Sequence, residues 1–446
     1  MISTRSFIAV TVTTLAGLAV AYLCGVPLAA GFAAGPLLLA FLMTRGGLNR
    51  KETAAVAWKG ALHTKEVMLI LFFVSLLIPA WSASGTIDAM IGAGLELFSP
   101  SLFLTSSFLL SGVIAYILGT STGTLSAVGL PVIGMAAQLD IPVAMAAGAL
   151  VSGAFVGDRG SPFSSAFRLT ADSAGVTTRE LGRAILPTTL LGLAATLAFF
   201  FTADRLGGWG ARASGAVSAA SPAAGADLWL YLPPVLLVGA MLFRLGTRLA
   251  FILAIVSGVA VGIWHTGIAP SAWPSLLWNG WESGSGRTSG GLKHMLDLVL
   301  LIALAGAFNG LLERSGAIEP IVKRAFASAR TLAGSTWRAG LFGLCLDLVS
   351  CTQTLPIMMT TRHILPAWAE RYGAAHLGRV AADTALLFAA LVPWNMLAIL
   401  CGAILGVPVI DYVPYAVYVW SIPLFTLAWS AWAGRRIGRE RSVPAK

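Results

Sequence analysis

Charged side chains are scarce in this 446-residue chain: Asp, Glu, Lys and Arg make up 11% of it, against 57% hydrophobic residues. Its mean hydropathy is +0.83. A soluble domain carries about 25% charged residues, so most of this surface does not face water and a soluble fold is excluded. Acids are scarcer than bases, 19 against 29, for a formal net charge of +10. The bases fall in short loops and the C-terminal tail, with no aromatic interleaving and no basic helix face. An excess of Lys and Arg in cytoplasmic loops accounts for them, and no nucleic-acid partner is expected. Cysteine is limited to Cys24, Cys345, Cys351 and Cys401, all in apolar surroundings without ligand spacing, which argues against disulfides and zinc. The five histidines (His63, His265, His294, His363, His376) do not cluster, so no metal site and no cofactor are expected. A phosphate-binding loop, a nucleophile elbow and a metalloprotease helix are also missing. That argues against a nucleotide-driven pump or an intramembrane hydrolase, so the expected function is not enzymatic.

Apolar runs close to the roughly 20 residues needed to cross a bilayer recur along the chain. They predict an all-α, polytopic membrane protein with about 11–14 transmembrane segments. The candidate spans are about 6–24, 27–43, 67–84, 101–118, 120–138, 142–170, 184–203, 228–243, 249–265, 295–312, 339–352, 353–369, 381–404 and 413–433. Gly, Ser, Thr and Pro interrupt 120–138, 142–170 and 353–369, which are not expected to be simple helices. Ser6 to Cys24 looks like the start of a signal peptide, but spans follow directly, so a retained first span is expected. Fourteen tryptophans supply interfacial anchors in the lipid bilayer. Basic clusters lie in the loop 45–65 (Arg45, Arg50, Lys51, Lys59, Lys65), in the loop 313–338, at Arg244 and Arg248, and in the tail from Arg435 to Lys446. One topology puts all four inside with both termini cytoplasmic, and leaves 204–227 and 281–291 outside.

Shifting the chain by 231 residues lays Ser84-Gly85-Thr86-Ile87-Asp88 on Ser315-Gly316-Ala317-Ile318-Glu319, and Pro162 on Pro393. Leu130-Pro131 falls on Leu355-Pro356 at a shift of 225, a six-residue deletion. The span at 67–84 leaves a basic loop, whereas its partner at 295–312 runs into one. The two units therefore have opposite orientation, the pattern of secondary transporters with midplane sites at broken helices. The expected organisation is 1–64 for N-terminal spans and a basic loop, 65–175 for the first repeat and 176–291 for connecting spans. The second repeat is 292–406, and 407–446 holds a final span and the tail.

The transport chemistry is expected where polar residues enter these units. Gly119-Thr120-Ser121-Thr122-Gly123-Thr124 favours unwinding, and irregular backbone at membrane depth is tolerated only when buried or lining a wet cavity. Its carbonyls and hydroxyls (Thr120, Ser121, Thr122, Thr124) are hard oxygen ligands for a small cation, or else form an unliganded re-entrant turn. Gly157-Asp158-Arg159-Gly160-Ser161-Pro162-Phe163-Ser164-Ser165 carries a charge within a span, which marks a pathway by default. Asp158 is the first choice for a carboxylate that takes either a cation or a proton, with Ser161, Ser164 and Ser165 beside it. The alternative is a structural ion pair of Asp158 with Arg159 or Arg168. In the second unit Ser350-Cys351-Thr352-Gln353-Thr354 replaces the Gly/Thr segment, with Thr352 and Gln353 as candidate ligands. Asp383 is the second-choice carboxylate. Asn395, beside the Pro393 break, is either an oxygen ligand or a helix-break hydrogen bonder. Asp140, Asp297 and Asp347 fall near predicted span ends and are expected at the interface.

These segments resemble the NhaC family of Na⁺/H⁺ antiporters. The resemblance rests on Gly119 to Thr124, on Ala154-Phe155-Val156-Gly157-Asp158-Arg159-Gly160-Ser161-Pro162-Phe163-Ser164, and on Leu391-Val392-Pro393-Trp394-Asn395. It continues through Leu405-Gly406-Val407-Pro408 and Tyr412-Val413-Pro414-Tyr415, and covers about residues 65–430. It implies a bacterial inner-membrane antiporter that moves Na⁺ out against H⁺, by alternating access around a midplane site. The chain departs from the family where Ser165, Ala166, Phe167 and Arg168 replace an Asp, two Thr and an Asn. It departs again where Ala382-Asp383 replaces an acidic pair. Losing two acids and gaining Arg168 weakens the attraction for Na⁺, and arginine binds carboxylates bidentately. Arg159 and Arg168 are therefore candidates for tuning charge or binding substrate. Proton- or sodium-coupled transport of a small organic acid or amino acid stays open beside Na⁺/H⁺ exchange. An Arg168 at the interface would favour exchange; one in the cavity would favour the organic anion. Nothing in the sequence fixes the oligomeric state, and a homodimer stays open.

Overall fold

The computed structural model describes residues 4–209, 227–282, 288–316, 331–350 and 352–442. Cys351, Lys446, the repeat positions Ala317, Ile318 and Glu319, and the basic residues Lys323, Arg324 and Arg330 lie outside these residues, as do parts of the 204–227 and 281–291 stretches. The described chain is almost entirely helical. The first helices are α1 (Thr4–Cys24), α2 (Leu28–Arg45), α3 (Arg50–His63), α4 (Lys65–Ala83), α5 (Thr86–Leu97) and α6 (Phe103–Leu118). Then follow α7 (Ser121–Gln138), α8 (Val143–Gly160), α9 (Ser165–Ala174), α10 (Thr178–Gly207), α11 (Leu232–Leu242), α12 (Thr247–Val261) and α13 (Trp273–Asn279). A small hairpin, β1 (Gly280–Glu282) against β2 (Thr288–Gly290), leads to α14 (Leu292–Ser315) and α15 (Leu332–Ser350). The chain ends with α16 (Thr354–Arg362), α17 (Leu365–Tyr372), α18 (Ala374–Asp383), α19 (Ala385–Phe388), α20 (Met396–Leu405), α21 (Val409–Tyr412) and α22 (Val417–Ser442).

Among the described residues, seven single helices are long and apolar enough to cross a membrane: 5–24, 28–45, 65–83, 100–118, 178–207, 247–266 and 292–315. A bent pair, Met396–Leu405 with Val409–Tyr415, turns by 89° and makes an eighth if counted as one span. The chain is thus a multi-pass membrane protein. The remaining apolar stretches are shorter or broken. The 142–170 run divides at residues 161–164 into α8 and α9, and 353–369 divides into α16 and α17. Two expectations change. The 120–138 run is a continuous helix from Ser121, its break confined to Gly119 and Thr120, where Thr120 caps α7 by accepting from Gly123 N–H. The basic loop 45–65 contains α3, which Asn49 starts by accepting from Lys51 N–H, with Glu52 in the first turn. An acid there complements the positive end of the helix dipole.

Several helix ends show the same 231-residue spacing. Gly85 and Gly316 both take left-handed φ, 79° and 64°. The N-caps Ser164 and Asn395, the ten-residue helices α9 and α20, and the left-handed C-caps Gly175 and Gly406 all stand 231 residues apart. In the first unit the Ser161 hydroxyl donates to the Tyr116 carbonyl (2.6 Å); in the second the Asn395 amide donates to the Asp347 carbonyl (3.4 Å). Those two carbonyls are again 231 residues apart.

The helix leading into each unit packs on the other one. Helix α3 lies on α14, and α12 lies on α4. Trp81 Nε1 donates to the Ala254 carbonyl (3.2 Å), and Phe73 stacks on Phe251 at 5.9 Å. On the other side Phe32 of α2 meets Phe308 edge-on at 5.7 Å. The α3–α14 contact is between backbones: a Cβ on Gly60 would stand 2.3 Å from the Gly306 carbonyl oxygen. Helix–helix association in a bilayer depends on close approach of small residues. Gly60→Leu is therefore expected to push α3 away at about 1–3 kcal/mol. It should lower the thermal midpoint of the solubilised protein in heated size-exclusion runs. Gly92→Leu, where a Cβ meets nothing within 4 Å, should leave the midpoint near wild type. Equal behaviour of the two variants would refute this packing.

Candidate functional site

Two breaks of the first unit meet. Gly119 ends α6 with φ 70°, and a Cβ there would lie 2.6 Å from the Phe163 carbonyl carbon, in the 161–164 break. Only glycine satisfies both the left-handed turn and the close approach. This contact sets the first turn of α7 against the last turn of α8. Ser121 Oγ then donates to Asp158 Oδ2 at 2.8 Å, while Ser164 Oγ lies 3.2 Å from Asp158 Oδ1 and donates to the Asp158 carbonyl at 2.7 Å. Asp158 is 7% exposed. It forms no ion pair among the described residues, with Arg159, Arg168 or any other base. Its environment is hydroxyls at the junction of two helix ends.

The neighbouring charge goes elsewhere. Arg159 Nε and Nη2 donate to Asp383 Oδ1 on α18 at 2.9 and 2.5 Å, and both side chains are fully buried. Nη2 also reaches the Thr188 hydroxyl (2.7 Å), and Nη1 reaches the Thr189 hydroxyl (2.8 Å) and the Tyr418 hydroxyl (2.9 Å). The guanidinium is thereby saturated, which leaves no donor for a substrate. Arg379 stands one turn before Asp383; its Nη2 contacts His376, and its guanidinium lies over Trp429 at 5.9 Å. Arg168 is exposed on α9 and donates to the Phe163 carbonyl at 2.8 Å.

Of the residues singled out in the sequence, the structure brings together Asp158, Ser121 and Ser164. Thr120 and Thr124 serve the α7 cap, the latter donating to the Thr120 carbonyl at 2.8 Å. Thr120 and Thr122 share a hydroxyl contact of 3.2 Å, Ser161 holds Tyr116, and Ser165 is exposed beside Pro162. Gly157 packs α8 on α6, where a Cβ would stand 2.1 Å from Ala115. The second-unit group forms a separate network. Thr352 accepts from Asn309 Nδ2 (2.8 Å), and Gln353 donates to the Leu386 carbonyl (2.9 Å). Asn395 is a helix cap, accepting from Leu397 N–H at 3.1 Å, beside the half-buried Pro393. Among the described residues no hydrogen bond joins this network to Asp158.

Sequence reasoning missed Thr188, Thr189 and Tyr418, neutral residues inside apolar helices whose role appears only once Arg159 is placed. Asp347 also departs from expectation. It is fully buried, not interfacial, and both its oxygens lack a hydrogen-bond partner among the described residues. The polar Ser350–Gln353 stretch ends the apolar run in sequence, but in the fold the last turn of α15 is buried, with Leu346, Asp347, Val349 and Ser350 all inside.

Helices broken at equivalent places in two repeated units, with a buried carboxylate between helix ends, define a secondary transporter. The model of the Na⁺/H⁺ antiporter family matches residues 212–433. The chain is 26% identical to the Na⁺/H⁺ antiporter NhaC of Alkalihalophilus pseudofirmus over 90% of this chain and 89% of that protein. It is 26% identical to NhaC of Bacillus subtilis over 81% of this chain and 83% of that protein. A malate-2H⁺/Na⁺-lactate antiporter of Bacillus subtilis is also 26% identical, over 83% of this chain and 82% of its own length. Over most of its length the chain is thus similar to Na⁺/H⁺ antiporters, at about a quarter sequence identity.

Removing one partner of a buried ion pair costs about 3–5 kcal/mol, whereas replacing both with apolar groups is often close to neutral. Arg159→Met and Asp383→Leu are each expected to lower the thermal midpoint sharply, and the double variant to recover much of the loss. Additive losses in this double-mutant cycle would contradict the pairing.

Proposed function

We propose that this chain is a Na⁺/H⁺ antiporter of the bacterial cell membrane, with Asp158 as the carboxylate that alternately holds a proton and Na⁺. The observation that carries the reading is the surroundings of Asp158: hydroxyl donors, two helix ends and no basic partner. A buried carboxylate of this kind needs a proton or a cation as counter-charge, and one group serving both ions couples their movements. Because the two ions compete for one site, the cycle needs no cofactor beyond them. The matched helix ends of 65–175 and 292–406 support two inverted units that rock around the site, giving alternating access. The basic loops support cytoplasmic termini.

The likeness to a malate–lactate antiporter keeps a small organic anion as the second reading. Two observations weigh against it. Arg168 is exposed and bonded to backbone, and Arg159 is saturated. Arg159 has no donor left for a carboxylate, and Arg168 lies on the exposed side of α9, apart from the buried Asp158.

Proteoliposomes carrying a pH reporter separate the readings through pulses of NaCl, KCl and a panel of small carboxylates. Proton flux is expected with NaCl, and Asp158→Asn should abolish it. Ser121→Ala, which removes one donor to Asp158, is expected to weaken apparent Na⁺ affinity about ten-fold, a loss of roughly 1.4 kcal/mol. Flux with a carboxylate but none with Na⁺, lost in Arg168→Ala, would overturn the antiporter reading.

A further inference from the structure

Asp347 is a buried acid to which the exchange scheme gives no task. It sits in the last turn of α15, three residues before the helix ends at Ser350, and Asp158 sits two residues before the end of α8. In both places the C-terminal end of a helix, which carries partial negative charge, adds to a carboxylate. The backbone at Asp347 is held firmly: its carbonyl accepts from Asn395, and the adjacent Leu348 carbonyl accepts from Trp394 Nε1 at 2.8 Å. Its side chain, by contrast, has no partner on either oxygen among the described residues.

The face of α15 that carries Asp347 also carries Gly343 and Gly340, four and seven residues away and so aligned along one side of the helix. A Cβ on Gly340 would meet Thr384 at 3.2 Å, and one on Gly343 would lie 3.4 Å from the Thr360 hydroxyl oxygen. That face therefore looks at α16 and the α18–α19 junction. Thr360 Oγ1 is itself buried and has no partner among the described residues. Asp347 is one turn beyond Gly343 on this same face, so its carboxylate and the Thr360 hydroxyl share the α15–α16 junction without a hydrogen bond between them. The charged groups on the packed elements are taken or turned away: Asp383 is held by Arg159, Arg379 contacts His376, and Arg362 is exposed.

We infer that Asp347 and Thr360 form a second Na⁺ site, in the second repeated unit and separate from Asp158. Resting on the exchange reading, the site would load a further Na⁺ from within the same chain. An unpaired buried carboxylate is costly unless neutralised, and hydroxyl and carboxylate oxygens at a helix C-terminus are the ligands that half-helices offer to Na⁺. A single acid matches a single positive charge, whereas a divalent ion takes more oxygen ligands and more charge.

The test is equilibrium binding of radioactive sodium to the purified, full-length, detergent-solubilised protein. Asp347→Asn is expected to bind about half the Na⁺ per chain that wild type binds, and Asp158→Asn the other half, with tenfold steps in affinity read as about 1.4 kcal/mol. Thr360→Val should keep the stoichiometry and weaken one of the two sites about ten-fold. Full wild-type stoichiometry in Asp347→Asn would make Asp347 a permanently protonated packing residue and overturn the inference. If Asp347→Asn does not fold, unchanged affinity of both sites in Thr360→Val overturns it instead. Loss in Asp158→Asn with none in Asp347→Asn would sink the second site alone. Absence of Na⁺ binding in wild type would remove the exchange reading and this site with it.

Discussion

A guanidinium with no exposed surface sits where the two halves of the chain meet, and much of the structure follows from keeping it paired. An arginine in a membrane interior costs about 2.5–3.5 kcal/mol even on the lenient insertion scale, so each of its donors has to be met. Arg159 comes from α8, Asp383 from α18, Thr188 and Thr189 from α10, and Tyr418 from α22. Four helices from different parts of the chain are thereby fixed at one level. Helix α10 follows the first unit and α22 follows the second, so the trailing helix of each unit converges on the same charge.

This pairing also divides the work between two acids that look alike in sequence. Asp158 and Asp383 are both lone carboxylates in apolar runs. The side chain of one meets hydroxyls and no base among the described residues; the other is committed to Arg159 through a single oxygen. Arg168, exposed on α9 and bonded to the Phe163 carbonyl, takes no part in this pairing.

Much of this was visible in the residues because the signals are local. Left-handed glycines, prolines after an apolar run and a hydroxyl residue at a helix start act within a few residues, so the breaks at Gly119 and Pro162 could be read directly. Asn395 shows the limit of the same logic: a polar side chain beside a proline fits a ligand and a cap equally well, and only geometry reveals the cap. The partner of Arg159 lies 224 residues away, and no local pattern can select Asp383 over Asp158. Asp347 was misjudged because hydropathy describes a helix by its own sequence, whereas burial depends on which helices fold over it. The helix α3 was read as a loop because positive charge obscured its Asn49 cap and its glycine contact.

The crossing of the leading helices bears on how the protein is made. Helix α3 emerges from the ribosome long before α14, its packing partner, has been synthesised, and α4 likewise waits for α12. During that interval Gly60 and Trp81 meet lipid or the insertion machinery in place of protein. The first unit cannot mature as an independent module, and its final packing is deferred until most of the chain has been translated. A premature stop beyond α10 would thus leave inserted helices with unsatisfied faces, a recognisable substrate for membrane quality-control proteases.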